Sequence, residues 1–525
     1  MLPDSCHRSS VASASEQTSF FCTYDIRGIV DDAFDVATFA RLGMAFADWL
    51  AMHSGSSKKT THEPLRVVVG HDARVHSPRL YRAFMSGLRA RHVDVVELGL
   101  VPTTLVYFSE VASTDVALRR LLEQHGISTP QAVHGSITIT ASHNPKAYNG
   151  LKFTAGGHSL SSEQIQKLRD VFLKIPKLSD GSDAIASAEN LLKTSCETFD
   201  AKAAYLAWIS ATFGSADPAR RQITLVVDSG NGAAGVIAPQ VFRAAGFNVI
   251  SLFEEPDGTF PNHHPDPCVA ANLVDLQHAV LEHRGDLGVA FDGDGDRMGL
   301  VDDTGAVIQG DRTLMLLAKE ILNRLPKTPK PVIVSEVKCS QHLFDAIEQL
   351  GGHAVMSPTG HAIMKITMAN MDAVLGGELS GHIFYRREHW GFDDGIYATL
   401  RVLMLLLSTK AADQKASISG LLAEFPTSAI SQERRVSLPK AHHQAALEQV
   451  ASLAQSLADC VGLPVRSVQT LDGIRVNLAG GFWLVRGSNT EPCLTLRCEA
   501  PDATRLERLQ TWLDQQVDRI IHAVS

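Results

Sequence analysis

The chain has 525 residues, 45% of them hydrophobic and 20% charged, with a formal net charge of −9. By length this is a globular protein of three or four domains, and the acidic balance excludes a general polyanion binder, so no nucleic-acid partner is expected. No apolar run is long enough to span a bilayer, and the densest, LRVLMLLL at 400–407, fits one buried helix, so no membrane partner is expected either.

Residues 1–19 are polar and serine-rich, lack the apolar stretch of a secretory signal, and read as a disordered lead-in. The eight cysteines are scattered and form no Cys-x-x-Cys pair. In a chain of this length that pattern points to reduced thiols in a reducing compartment, hence to a cytoplasmic protein.

In chain order, TYDIRGIV (23–30) sets Tyr24 and Arg27 before a loop. HSGSSKKTTHE (53–63) reads as a polar loop. Residues 65–99 run strand, polar loop, helix, strand. The same plan recurs at 223–253 and 331–358, where Gly246 and Gly351-Gly352 stop the helix. Three such βαβ units point to three related α/β domains with largely parallel strands.

Between the first two units lies ITITASHNPKAYNGLKF (137–153). It opens as a β-branched strand and then meets two turn signals, Asn144-Pro145 and Asn149-Gly150. Ser142 stands at the mouth of the strand with His143 beside it, and Lys152 returns ten residues after Ser142. In an extended chain His143 points away from Ser142, and there is no Gly-x-Ser-x-Gly elbow, so a serine hydrolase is a poor reading. LSDGSDAIAS (178–187) reads as a linker.

LGVAFDGDGDRMGLVDDTG (287–305) alternates Asp292, Asp294 and Asp296 with glycines. Three carboxylates this close repel one another unless a hard cation lies between them, which suits Mg²⁺, Ca²⁺ or Mn²⁺. An EF-hand is excluded, because its sixth position would be Arg297 and its twelfth Asp303. Arg297 sets a positive charge beside the ion, which suits a phosphate ligand.

Further along, Lys338 follows a strand, and PTGHAIMK (358–365) places Gly360 and His361 at the start of a helix, whose N-terminus favours anions. In GGELSGHIFY, extended alternation would point Glu378, Ser380 and His382 the same way, offering a carboxylate and a hydroxyl to vicinal sugar hydroxyls. From about residue 430 the pattern changes to strand, helix, three strands and a closing amphipathic helix, a smaller α+β domain. There RGSNTEPCLTLR (486–497) gathers Arg486, Ser488, Asn489 and Thr490 into a phosphate cradle, with Arg497 at the end of the next strand.

TASHNP, DGDGDR, GELSGH and RGSNTEP, in this order, resemble the four signature loops of the α-D-phosphohexomutase superfamily, and within it the bacterial phosphomannomutase/phosphoglucomutase group. The resemblance spans roughly residues 20–525. It implies an α/β protein: three related mixed α/β domains, here 20–188, 189–306 and 307–425, and a smaller α+β domain at 430–525, around a central cleft. A short hinge is expected near 425–435. The implied activity is reversible phosphoryl transfer between C1 and C6 of mannose or glucose phosphates, through a phosphoserine and a 1,6-bisphosphate. Catalytic roles fall by the resemblance to Ser142, His143, Lys152, Arg27, Arg297 and His382. One Mg²⁺ is implied on Ser142, Asp292, Asp294 and Asp296. Substrate contacts fall to Tyr24, Lys338, Gly360, His361, Glu378, Ser380, Arg486, Ser488, Asn489, Thr490 and Arg497. Glucose 1,6-bisphosphate is the implied activator, hexose phosphates the partners, and a monomer the expected state. Three rivals remain: a phosphoglucosamine mutase, whose family loop has glutamine where Leu379 stands, a non-catalytic sugar-phosphate binder, and a metal-dependent phosphatase, which would release inorganic phosphate without isomerisation. Segments 53–63 and 112–135 look longer than the family's links and are expected on the surface.

Overall fold

The computed structural model describes residues 19–33, 35–53, 64–178, 196–214, 217–413, 416–453, 462–488 and 492–524. The expected lead-in at 1–19, all but Ser19, most of the loop at 53–63 and the linker at 178–187, apart from Leu178, lie outside these residues.

The first sheet holds β1 (Ile26–Ile29), β2 (Arg66–His71), β3 (Asp94–Leu100), β4 (Gly135–Ile139), β5 (Tyr148–Ala155), β6 (His158–Ser159) and β7 (Cys196–Thr198), in the order β1-β5-β4-β2-β3-β7 with β6 on β5. Its helices are α1 (Val36–His53), α2 (Ser77–Arg89), α3 (Thr103–Thr114), α4 (Val116–Gln124) and α5 (Ser162–Lys174). Helix α5 opens on a capping box between Ser161 and Gln164. Helix α4 forms within the segment 112–135, started by the Asp115 side chain accepting from Leu118 N–H. Strand β7 lies beyond residue 188 in sequence and hydrogen-bonds to β3 in this first sheet.

The second sheet, β8 (Thr224–Asp228), β9 (Asn248–Leu252), β10 (Leu287–Phe291), β11 (Met298–Asp302) and β12 (Val307–Ile308), runs β12-β11-β10-β8-β9. Helices α6 (Ala201–Phe213), α7 (Ala238–Ala244) and α8 (Val274–His283) belong to this stretch. The third sheet, β13 (Val332–Glu336), β14 (His353–Ser357), β15 (Leu375–Gly377) and β16 (Ile383–Tyr385), runs β14-β13-β15-β16. With it go α9 (Gly310–Arg324), α10 (Gln341–Gln349), α11 (His361–Asn370), α12 (Gly395–Ala412) and α13 (Ile418–Ala423). The apolar run at 400–407 is the middle of α12.

These three sheets repeat one topology. In each, the opening βαβ unit gives a parallel pair: β2 with β3, β8 with β9, β13 with β14. A third strand then adds, also parallel, on the other side of the first: β4, β10, β15. A fourth returns antiparallel to that third strand: β5, β11, β16. The connection between third and fourth strands carries, in turn, Ser142, the aspartate triad and the Glu378–His382 loop. Equivalent hairpins of three repeats thus converge on one place.

The C-terminal sheet is wholly antiparallel: β17 (Ala429–Ile430), β18 (Arg434–Ser437), β19 (Val465–Gln469), β20 (Ile474–Leu478), β21 (Gly481–Gly487) and β22 (Cys493–Ala500). Period-2 alternation divides its faces. Trp483, Val485, Leu494, Leu496 and Cys498 form a core with helices α14 (His443–Ser452) and α15 (Ala503–Val524). Phe482 and Leu484 face the other way and meet Val337 of the third unit.

One continuous apolar cluster runs from Val68 to Leu422 through the first three units, whereas the C-terminal core is separate. The tilted ring contacts of Phe108 with Trp208 and of Trp208 with Trp390, with centroids 5.6 and 5.0 Å apart, tie α3, α6 and the turn before α12 together. Beside the Val337–Phe482–Leu484 contact, buried polar groups also join the fourth unit to the third. Glu499, fully buried, accepts from Ser340 Oγ at 2.6 Å, from Gln341 N–H at 3.0 Å and from Ser428 Oγ. Arg475 donates to the carbonyls of Val337 and, at 2.7 Å, Cys339.

Candidate active site

Strand β4 ends at Ile139, and Ser142 then adopts a left-handed φ of +50°. Its N–H donates to Thr140 Oγ1 at 2.8 Å. This turn reverses the sequence expectation for His143, whose Nδ1 lies 3.2 Å from Ser142 Oγ rather than pointing away. The expectation rested on an extended chain, and Ser142 is in the left-handed region, so the alternation of an extended backbone does not hold there. Arg297 and burial hold the His143 imidazole well below its ordinary value, hence uncharged at neutral pH.

A second expectation is also corrected. Asn149-Gly150 is no turn; both lie inside β5. Asn149 Nδ2 donates to Ser77 Oγ at 2.9 Å, and its Oδ1 accepts from Gly150 N–H at 2.8 Å. A Cβ on Gly150 would fall 1.9 Å from Ile26 O, so glycine is required by the close passage of β1. The β4–β5 register, with Thr138 opposite Lys152, then brings the lysine alongside the serine loop.

The serine loop is clamped from two sides. The guanidinium of Arg74, fully buried, donates to the carbonyls of Ser142, Asn144, Pro145 and Tyr148 at 2.5–3.0 Å, and its Nε lies 3.2 Å from Asp72 Oδ2. Arg27 Nη1 donates to Ala141 O at 3.2 Å and Asn144 Oδ1 at 2.5 Å. Arg74 escaped the sequence reading, although Asp72, Ala73 and Arg74 directly follow β2, where loops of such units gather.

Ser142 Oγ donates to Asp292 Oδ2 at 2.6 Å. Carboxylate oxygens of Asp292, Asp294 and Asp296, all buried, lie within 4.8 Å of one another. Gly293 permits this approach, since a Cβ there would fall 2.6 Å from Ser142 O. Asp294 Oδ2 takes bonds from Thr103 Oγ1 and Lys152 Nζ, each at 2.7 Å, and Lys152 also bonds Asp296 Oδ2. Thr103, at the first turn of α3, is another residue the sequence reading missed. Burial and the two neighbouring carboxylates push the Asp292 carboxyl well up. Burial opposes charge on Asp296 too, but Lys152 and His382 hold its carboxyl well down. Asp294 Oδ1 is buried and accepts no hydrogen bond among the described residues. A crowded acidic site with an orphaned oxygen fits a divalent cation.

The third hairpin differs from the extended alternation expected of it. Strand β15 stops at Gly377, and 378–381 form a tight turn in which Gly381 N–H bonds Glu378 O at 3.1 Å. Gly381, at φ +87°, closes it against Met298 O. A turn places Glu378 and His382 face to face, with His382 Nδ1 2.8 Å from Glu378 Oε2, while the Ser380 carbonyl accepts from Cys268 Sγ at 3.3 Å. His382 Nε2 lies 3.3 Å from Asp296 Oδ1 and 3.1 Å from Arg297 Nε. Burial and Arg297 oppose a charge on this ring, but Asp296 and Glu378 outweigh them and raise its pKa to about 9.

Gly360 N–H donates to Glu378 Oε1 at 2.7 Å. The Tyr24 ring lies against Gly360 and 6.3 Å from the His361 ring. Burial, with Asp472 beside it, pushes the Tyr24 phenol up to about 12, so it stays a donor. His361 Nδ1 and His382 Nε2 each lie 3.9 Å from buried Asp393, whose counter-ion is Lys365 at 2.8 Å. Lys338 Nζ lies 3.7 Å from Glu336 and 3.6 Å from Glu433. Arg486 Nε bonds Asp472 Oδ2 at 2.9 Å, and Ser488 N–H bonds Cys493 O at 2.9 Å. Asn489 and Thr490 lie outside the described residues. Arg497 pairs with Leu484, so it sits deeper on the face toward the third unit.

Residues 18–179, 203–305 and 309–428 match the family domains described as phosphoglucomutase/phosphomannomutase, alpha/beta/alpha domains I, II and III, and 434–516 match the corresponding C-terminal domain. The chain is 37% identical over 502 residues to a phosphomannomutase/phosphoglucomutase of Pseudomonas aeruginosa, covering 96% of each. It is 34% identical over 515 residues to a phosphoglucomutase of Neisseria gonorrhoeae, covering 97% of this chain and 99% of that one. A crystal structure of a phosphoglucomutase/phosphomannomutase family protein from Burkholderia thailandensis superposes with a TM-score of 0.78 at 34% identity, covering 96% of this chain and 98% of that one.

Proposed function

The chain belongs to the phosphoglucomutase/phosphomannomutase family, and on that premise we propose that it interconverts hexose 1- and 6-phosphates of glucose and mannose through a phosphorylated Ser142. The observation that carries this reading is Ser142 Oγ, 2.6 Å from Asp292 in a buried carboxylate triad, with Lys152 Nζ and the Arg297 main chain on the same triad.

In this reading Arg486 and Ser488, with Asn489 and Thr490, take the phosphate already on the sugar, and Lys338 adds a second cation. Glu378 and Ser380 receive ring hydroxyls, and Tyr24, Gly360 and His361 line the approach. Arg497 supports the cradle from beneath. The sugar's free hydroxyl attacks the phosphoserine phosphorus, and the P–Oγ bond breaks. Arg27 holds the serine loop in line, and Arg297 offsets the charge on the transferring group. The proton lost by the sugar hydroxyl ends on the released Ser142 Oγ, which has the uncharged His143 Nδ1 as a hydrogen-bond partner at 3.2 Å. Lys152 or His382 takes the sugar proton, once neutralisation of the carboxylates it faces has left it uncharged. Both lean on Asp294, Asp296 or Glu378, so their basicity depends on how that negative charge is neutralised.

Asp292, Asp294, Asp296 and an oxygen on Ser142 would hold one divalent cation, Mg²⁺ in this reading, which when bound would offset the phosphoryl charge. The 1,6-bisphosphate formed turns over in the cleft and returns its other phosphate to Ser142; added glucose 1,6-bisphosphate would prime the enzyme. All four loops come from one chain, which supports a monomer as the working unit. The described cysteines are all free thiols, which supports a cytoplasmic setting. No helix among the described residues is long and apolar enough to cross a membrane.

Intact mass and phosphopeptide mapping of Ser142, before and after incubation with glucose 6-phosphate, test the reading. A phosphoryl group on Ser142 that the sugar removes is the expected result. Mutase turnover with Ser142 never phosphorylated would overturn it.

A further inference from the structure

One carboxylate joins the phosphate arginine of the fourth unit to the sugar loop of the third. Asp472 precedes β20, and the pairing of Ile474 with Val485 sets it beside the end of β21, where Arg486 stands. Gly473 makes this approach possible. It has a φ of +76°, and a Cβ there would come within 2.6 Å of the Arg486 Cα and Cβ. Asp472 Oδ2 accepts from Arg486 Nε at 2.9 Å. The same oxygen accepts from Thr359 N–H at 2.9 Å. The next amide, Gly360 N–H, donates to Glu378 Oε1 at 2.7 Å. The Arg486 side chain is only 5% exposed, and its Nη2 is buried with no hydrogen-bond partner among the described residues.

A buried guanidinium anchored at Nε and unpartnered at Nη2 has a fixed fork with donor capacity left for a ligand. Two successive amides of one loop, Thr359 and Gly360, divide between Asp472 and Glu378. Any shift of Asp472 therefore alters the distance between the phosphate arginine and the sugar carboxylate.

We propose that Asp472 is a positioning residue for substrate: it sets the Arg486 fork toward the ligand phosphate and, through Thr359, holds that fork at a fixed separation from Glu378. This rests on the reading that Arg486 binds the phosphate. Asp472 itself touches no reacting atom. Its effect belongs to ground-state and transition-state binding alike, so it falls on KM rather than kcat.

The test compares wild type, Asp472→Ala and Asp472→Asn in steady-state kinetics with glucose 1-phosphate, alongside calorimetric binding of glucose 6-phosphate. Asp472→Ala is expected to raise KM and weaken binding about tenfold or more, the loss of one charge-assisted hydrogen bond, with kcat changed less than about threefold. Asp472→Asn keeps an acceptor oxygen and is expected to fall between the two. KM and binding equal to wild type in Asp472→Ala overturn the proposal, as does a loss confined to kcat. Should Asp472→Ala fail to fold, Asp472→Asn decides alone: KM raised about threefold upholds the proposal and an unchanged KM overturns it. If wild type binds glucose 6-phosphate but performs no interconversion, the mutase reading falls, and the binding series still decides the role of Asp472.

Discussion

Ser142 Oγ and Asp292 Oδ2 lie 2.6 Å apart although 150 positions separate them in the chain. Two hairpins from successive repeats make the contact: the serine sits past the end of β4 and the aspartate past the end of β10. Because the hydroxyl already points into the carboxylate triad, Ser142→Ala is expected to cut kcat by about 10³-fold or more while hexose-phosphate binding stays measurable. Initial rates and calorimetry check this. Near-native turnover would show that the phosphoryl donor lies elsewhere.

Lys152 Nζ is the counter-charge to Asp294 and Asp296 in this structure. Lys152→Met removes the cation those two buried carboxylates share, leaving Asp294 with Thr103 and Asp296 with His382, so the metal-free variant is expected to lose about 3 kcal/mol of stability. A divalent cation should restore more of the melting temperature in the variant than it adds to wild type. Thermal denaturation with chelator and with excess Mg²⁺ measures both. Equal shifts in the two proteins would mean that lysine and cation do not share the site.

His382 has a folded pKa of about 9 against an ordinary 6.5. Raised in this way, the charged ring contributes its full stability below about 6.5, and that contribution is lost as the pH rises through about 9. In the presence of chelator, the gap in melting temperature between wild type and His382→Gln should therefore shrink from neutral pH toward about 10. Proton NMR of the ring should give the midpoint directly. A midpoint at or below the ordinary value would sink the assignment of Asp296 and Glu378 as its partners.

Glu499 takes its hydrogen bonds from Ser340 and Gln341 of the third unit and from Ser428 in the connection between units. The C-terminal core is separate from the rest, and this carboxylate and Arg475 are buried polar contacts across the join. Glu499→Ala should leave the Ser340 hydroxyl and Gln341 amide unpaired, at a cost of about 2–3 kcal/mol. Cleavage between residues 425 and 435 by limited proteolysis is expected to quicken, with glucose 6-phosphate slowing it again. An unchanged digestion pattern would remove Glu499 from the docking role.

The chemistry was legible where it is local. Three aspartates in alternate positions announce a cation site through charge repulsion alone, and the three βαβ units announce parallel strands through their apolar runs. What misled were inferences of direction. Asn149-Gly150 carries a turn signature yet lies in a strand, because Gly150 is there to let β1 pass. His143 faces Ser142 because one residue has a left-handed φ, a choice no neighbour in sequence dictates. Glu378 and His382 face each other across a turn rather than along a strand.

Arg74, Thr103 and Asp472 were invisible because their partners are main-chain groups or side chains far along the chain. Composition, period and charge spacing are properties of neighbouring residues, so sequence alone determined the fold class, the repeated units and the family's four loops. Which oxygen meets which proton depends on how separate sheets pack and on a few backbone angles set by that packing. The tertiary structure alone decided how three hairpins and a docked fourth sheet share one cleft.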